Sequence, residues 1–104
     1  MANPWAGEVA VVIDGKSHAC KLTLGALAEL EGNLGEGSLI DLIRRFENGG
    51  FSGRDVMSII VAGLRGGGWT GTGTDLLTAE IEGGAIGAAK SAANLLTRAF
   101  TPPT

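Results

Sequence analysis

Glycine limits this chain more than any other feature: it fills 18 of 104 positions. The glycines cluster. Gly35 with Gly37, the pair Gly49-Gly50, the run from Gly66 to Gly73 and the pair Gly83-Gly84 punctuate the sequence. A glycine in a helix interior costs about 1 kcal/mol relative to alanine. Each interval between clusters therefore holds one short element, and the chain has to fold by packing several of them. At this length it is expected to be a single domain, 1–104, with flexible ends at 1–6 and 101–104.

The pattern within the intervals predicts an α+β fold, an N-terminal β-hairpin followed by a compact bundle of about four to five helices. In "GEVAVVIDGKSHACKL", Asp14-Gly15 suits a two-residue type I′ turn, which needs positive φ at both positions. Counting outward pairs Ile13 with Lys16, Val11 with His18, Val9 with Cys20 and Glu8 with Lys21. Val9, Val11, Ile13, Cys20 and Leu22 then share an apolar face. A lone hairpin is marginal in water, so helices must cover that face.

Thr23 is expected to cap a helix over about 24–34, with Leu24, Leu27, Leu30 and Leu34 inward. Ser38 should cap a second over 39–48, where Leu39, Leu42, Ile43 and Phe46 follow amphipathic spacing. Ser52, with Asp55 three residues on, should cap a third. That helix carries two overlapping apolar stripes and belongs at the centre. A short helix is expected over 75–82, and a last one over 85–100 with Ala85, Ala89, Ala92, Leu96 and Phe100 inward.

The run "AGLRGGGWTGTGTD" contains a formal G-x-G-x-x-G at Gly66, Gly68 and Gly71. A dinucleotide fingerprint lies between a strand and a helix, so that the helix N-terminus meets the pyrophosphate. Here the glycines follow a helix, and no Gly-Lys-Ser or Gly-Lys-Thr closes the run. The expected role is a stop: Gly66 as the left-handed residue ending the third helix, with Arg65 favoured by the helix dipole. So glycine-rich a loop, 66–73, is also a candidate for ordering only when something binds. Trp69 within it either packs on the core or projects toward a partner.

No chemistry stands out. His18 is the single histidine and has no nearby acid; Cys20 is the single cysteine. Glu29 and Glu31 point to different faces of one helix, and Glu80 and Glu82 fail as a pair in the same way. Arg44, Arg45 and Glu47 read as a solvated face. No catalytic, cofactor-binding or metal-binding residues and no enzyme activity are expected. A net charge of −3 without a basic cluster argues against nucleic acid. The longest apolar run, "IIVAGL", is too short for a membrane span. With no signal peptide in "MANPWAGEV", a cytoplasmic location is expected, with particle association an alternative.

The ordered set "GEVAVVIDG", "LTLGALAELE", "SLIDLIRRFENGGFSGRDV", "AGLRGGG", "IEGG" and "AANLLTRAF" resembles the gene-transfer-agent tail protein family, classed among phage tail assembly chaperones. The resemblance covers nearly the whole chain. It implies a helper of tail morphogenesis in a gene transfer agent or prophage. Its partners would be the tape-measure protein, whose long apolar helices need cover, and the tail-tube protein. The alternative is a structural tail or neck subunit retained in the particle, and a homo-oligomer is compatible with either. No cofactor is implied. Trp5, Phe51 and Trp69 are the candidate partner-binding anchors, each with core packing as the competing role.

Overall fold

The computed structural model describes residues 7–34 and 38–100. Seven elements follow in order: β1 (Val9–Ile13), β2 (Lys16–Cys20), α1 (Leu24–Asn33), α2 (Leu39–Asn48), α3 (Gly53–Gly66), α4 (Gly73–Leu76) and α5 (Gly84–Phe100). The expected hairpin and helical bundle are both present. Trp5, the ends 1–6 and 101–104, and the stop at Gly35 and Gly37 lie outside the described residues.

The hairpin has the register counted from its turn, with Val9 opposite Cys20, Val11 opposite His18 and Ile13 opposite Lys16. Asp14 and Gly15 both take positive φ, at 51° and 79°, as a type I′ turn requires. Val11, Ile13, Cys20 and Leu22 are buried, and Val9 packs beside them. The layer above is helical: α3 crosses β2, and α5 lies against β1. α3 also packs on α1, α5 and α4, which makes it the central helix.

Three N-caps form as their sequences dictate. Thr23 Oγ1 accepts from Ala26 N at 3.1 Å. Ser38 and Asp41 form a reciprocal capping box, and so do Ser52 and Asp55. At the far end of α2, Gly49 adopts the left-handed conformation at φ 79°. Asp55 has a second task. Its carboxylate takes a bidentate pair from Arg45, Nε to Oδ2 and Nη2 to Oδ1, each at 2.9 Å. It is the one buried charged residue among those described, at 7 % exposure. Arg45 thus leaves the solvated face assigned to it and bolts α2 to α3. Arg45 holds the Asp55 carboxyl below its usual range, against the opposing effect of burial.

α3 meets β2 through glycine. Gly63, Gly66 and Gly67 follow i, i+3, i+4 spacing and share one helix face. A Cβ at Gly66 would overlap the Lys21 carbonyl oxygen, and one at Gly67 the Ala19 carbonyl oxygen. A Cβ at Gly63 would stand 2.8 Å from Leu95 Cδ1. The backbones touch closely enough for Lys21 N–H to donate to the Gly63 carbonyl at 2.9 Å. The helix stop lies two residues later than expected. Gly66 is the last helical residue, and the left-handed position is Gly68, at φ 102°. Trp69 N donates to Leu64 O at 2.9 Å and Gly68 N to Arg65 O at 3.1 Å, which is a Schellman closure.

Three further expectations are corrected. Leu24 is 85 % exposed, because the buried side of α1 is set by Ala26, Leu27, Leu30 and Leu34, and Leu24 lies about 100° away on the helical wheel. α5 buries Ala88, Ala92, Leu95 and Leu96; Ala85 and Phe100 are exposed. With alanine on several flanks, its sequence did not fix the rotation. The helix expected over 75–82 is one turn, Gly73–Leu76. The chain then extends beside β1: Ile81 bridges Ile13, Asp14 N donates to Glu80 O at 2.8 Å, and Glu82 N donates to Val12 O at 2.9 Å. Both edges of the hairpin are therefore covered in part, β2 by the end of α3 and β1 by residues 80–82.

Two tests follow from this packing. Gly66→Ala or Gly67→Ala forces a methyl group into a backbone carbonyl and should cost about 3 kcal/mol in urea unfolding. Gly32→Ala meets nothing within 4 Å in α1 and should instead gain roughly 0.5 kcal/mol. The second concerns acid. Because the folded Asp55 pKa is depressed, its contribution is complete above the ordinary carboxylate range, near ~4, and is lost as pH falls through the lower folded value. The melting temperature should drop below about pH 4, and Asp55→Asn should melt lower at neutral pH and show a shallower acid drop.

Candidate functional site

The polar candidates come first. Cys20 is fully buried under α3, and its thiol donates at 3.8 Å to the His18 carbonyl. Burial pushes its pKa up to about 12, so the thiolate needed for nucleophilic attack is scarce. His18 is half-buried, opposite Val11. Among the described residues no group of three His, Cys, Asp or Glu side chains is placed to hold a metal ion. No helix there is long and apolar enough to cross a membrane.

The glycine run has the wrong surroundings for a phosphate cradle. Gly66 and Gly67 are spent on contact with β2, and Gly71 lies beneath the Trp69 indole, where a Cβ would overlap the ring. The Gly15-Lys16-Ser17 triplet belongs to the hairpin turn and the start of β2, with no helix following it. Arg65 points away from any ligand role: Nε pairs with Glu29 Oε1 at 2.6 Å, and Nη1 donates to the Gly71 carbonyl at 3.0 Å.

Trp69 is half-buried and packs on the core. It borders an open hollow of about 470 Å³ with Thr23, Glu29 and Arg65. One side of the indole thus packs on the core, as its sequence allowed, and the rest borders this hollow. Phe51 is half-buried and stacks on Phe46, with ring centroids 4.5 Å apart and planes 11° apart. Such a stack adds about 1 kcal/mol beyond the area it buries. The structure does not bring Phe51 and Trp69 together: they border different hollows.

An apolar cleft of about 400 Å³ lies between the start of α3, the start of α5 and the segment from Leu76 to Ile81. Phe51, Val56, Met57 and Ile60 line one side. Leu76 and Ile81 line another, and Ala85, Ala88 and Ala89 give α5 a low surface. Beyond the Phe46–Phe51 stack a second hollow, of about 300 Å³, continues along α5, with Ile43, Ala93, Leu96 and Phe100 and with the polar Glu47 and Thr97 at its wall. Sequence reasoning found Phe51 and missed the rest. Two signals pointed there: α3 carries more apolar surface than one core contact needs, and α5 has alanines on two flanks.

This is a small α+β protein, a hairpin under a helical bundle, with an apolar cleft between α3 and α5. Residues 6–101 match the family described as phage tail tube protein, GTA-gp10, and the chain belongs to that family. It is accordingly a tail-associated protein of a phage or gene transfer agent. No curated protein and no solved structure matches the chain.

The burial of Cys20 gives a direct test. At about pH 8 a thiol-specific disulfide reagent should leave the native protein unlabelled and react with one equivalent of thiol after denaturation. Fast labelling of the native form would show that α3 does not sit on β2 as described.

Proposed function

We propose that the protein is a tail assembly chaperone that shields apolar helical segments of the tape-measure protein until the tail-tube protein polymerises around them. The observation that carries this reading is the apolar cleft at Phe51, Met57, Ile60 and Ala89, in a chain of a tail family. A helix laid along α5 would meet this cleft near Ala85 and Ala89, and the second hollow near Ala93 and Phe100. Eight residues of helix rise about 12 Å, so side chains seven or eight apart on the partner would fill both. The alanine surface lets the two helix axes approach. No bond-making chemistry is required, and we assign no enzymatic activity. Action before assembly would place the protein in the cytoplasm.

A second reading, a subunit retained in the tail, draws support from the family's description as a tail tube protein. With both hairpin edges partly covered, a ring would have to form through helical faces; Ile40 and Ile86 are exposed there.

Co-expression tests the first reading. The tape-measure protein should be insoluble alone and soluble with this chain, and Ala89→Glu should remove most of that rescue without lowering the melting temperature by more than a few degrees. Trp69→Ala should leave rescue largely intact, since Trp69 lies outside the cleft. If the wild-type chain leaves the partner insoluble, the chaperone reading fails. A stoichiometric copy number in purified particles would favour the retained subunit.

A further inference from the structure

We infer that residues 70–79 form a hinged strap that walls one side of the apolar cleft and lifts away to widen it. Glycines mark the leading hinge, with Gly68 and Gly71 before the strap's helical turn, and Thr78 and Ala79 form the trailing one, where the strap meets the anchored residues 80–82. Between them little is buried. Leu76 is the strap's single buried residue, while Thr70, Thr72, Thr74, Asp75, Leu77 and Thr78 are exposed. Leu76 lines the cleft with Met57 and Ile60, and a Cβ at Gly73 would stand 3.9 Å from Met57 Sδ and from Val61 Cγ2.

The ties are placed so that the strap can leave without unfolding the rest. One side-chain bond, Arg65 to the Gly71 carbonyl, holds its start. Its end stays anchored by Glu80, whose N–H donates to Asp14 Oδ1 at 2.9 Å, and by the pairing of 81 and 82 with β1. A segment with one buried side chain and an exposed backbone opens at lower free energy than the core elements. Its departure would uncover the Met57, Ile60 and Val61 side of α3. That explains why α3 is apolar round most of its circumference although its core contacts use only part of it. In the closed form Leu76 covers the apolar side of α3 behind the cleft, so the strap limits how much of α3 a partner can reach. Its use as a gate for a partner helix rests on the chaperone reading; the opening itself does not.

The full chain tests both. In hydrogen exchange, the amides of Asp75, Leu77 and Ala79 should exchange at least about 100-fold faster than those from Ile59 to Leu64. A Val61→Cys, Gly73→Cys double variant sets a Cβ at 73 3.9 Å from the place of Val61 Cγ2, and its oxidation should lock the strap. The environment-sensitive dye anilinonaphthalene sulfonate should bind the reduced variant about tenfold more strongly than the oxidised one. Leu76→Ala should raise dye binding several-fold while exchange in α3 and the hairpin stays unchanged. Strap amides as slow as those of α3, or equal dye binding by locked and reduced forms, would overturn the strap. A lock that blocks the dye yet leaves rescue of the tape-measure protein intact would overturn the gating role alone. Absence of rescue by the unlocked wild type would overturn the chaperone reading and leave the dye and exchange results to judge the strap.

Discussion

The fold depends on the close approach of α3 to β2. A two-stranded hairpin does not stand alone in water, and here its partner is a helix that meets it backbone to backbone. Gly63, Gly66 and Gly67 remove the side chains that would hold the two apart, and the Lys21 N–H closes the gap onto the Gly63 carbonyl. The other contacts take their position from this one. Leu95 of α5 packs over Gly63, and Ala26 of α1 faces Gly66. Arg65, one residue before the closest approach, reaches Glu29 on α1 and the Gly71 carbonyl. That surface ion pair is half-exposed and contributes little on its own, ~0.5 kcal/mol. Its role is orientation, and the stability comes from the six fully buried leucine and isoleucine side chains, at about 2 kcal/mol each.

This arrangement decides which surfaces are left for other molecules. The end of α3 covers the outer edge of β2, and residues 80–82 cover the later part of β1. Strand addition, the usual liability of an open sheet, is thereby restricted. The exposed large apolar side chains are mostly helical instead, Leu24 on α1, Ile40 on α2, Ile86 and Phe100 on α5, and two hollows open along α5. There the chain has alanine where a larger residue would have filled the groove.

Sequence legibility followed the range of the forces involved. The hairpin register was readable because Asp14-Gly15 specifies the turn and alternation does the rest. α2 was readable to both ends because Ser38, Asp41 and Gly49 act locally. The stop of α3 was placed at Gly66 and lies at Gly68, because three consecutive glycines give no local preference; the choice comes from the approach of Ala19 and Lys21, distant in sequence. The i, i+3, i+4 glycines were in view and carried that information. Ile81 could not be read as a bridge to Ile13, since three residues show no period. Arg45 and Asp55 lie ten residues apart on separate helices, and neither local pattern points to the other. Of the candidate anchors, Phe51 borders the apolar cleft, Trp69 borders a different hollow, and Trp5 lies outside the described residues. The cleft itself was illegible because its low surface is alanine, a residue equally at home in a core, an interface or an exposed helix.

The joint between α2 and α3 connects stability with recognition. Arg45 and Asp55 fix the angle between these helices, and the same angle brings Phe46 onto Phe51. Because Phe46 borders one apolar hollow and Phe51 the other, the ring stack is both a stabilising contact and the partition between them. Core packing and lining the cleft are therefore not rival roles for Phe51. One face of its ring satisfies the fold, and the rest of its surface lines the cleft. A contact site built this way has walls held by the protein's own core contacts, so little ordering is left to be done when a partner arrives. The strap beside it is the opposite kind of wall, with one leucine seated and glycines leading into it. A firmly held wall and a lightly held one on the same cleft leave it preformed on one side and adjustable on the other.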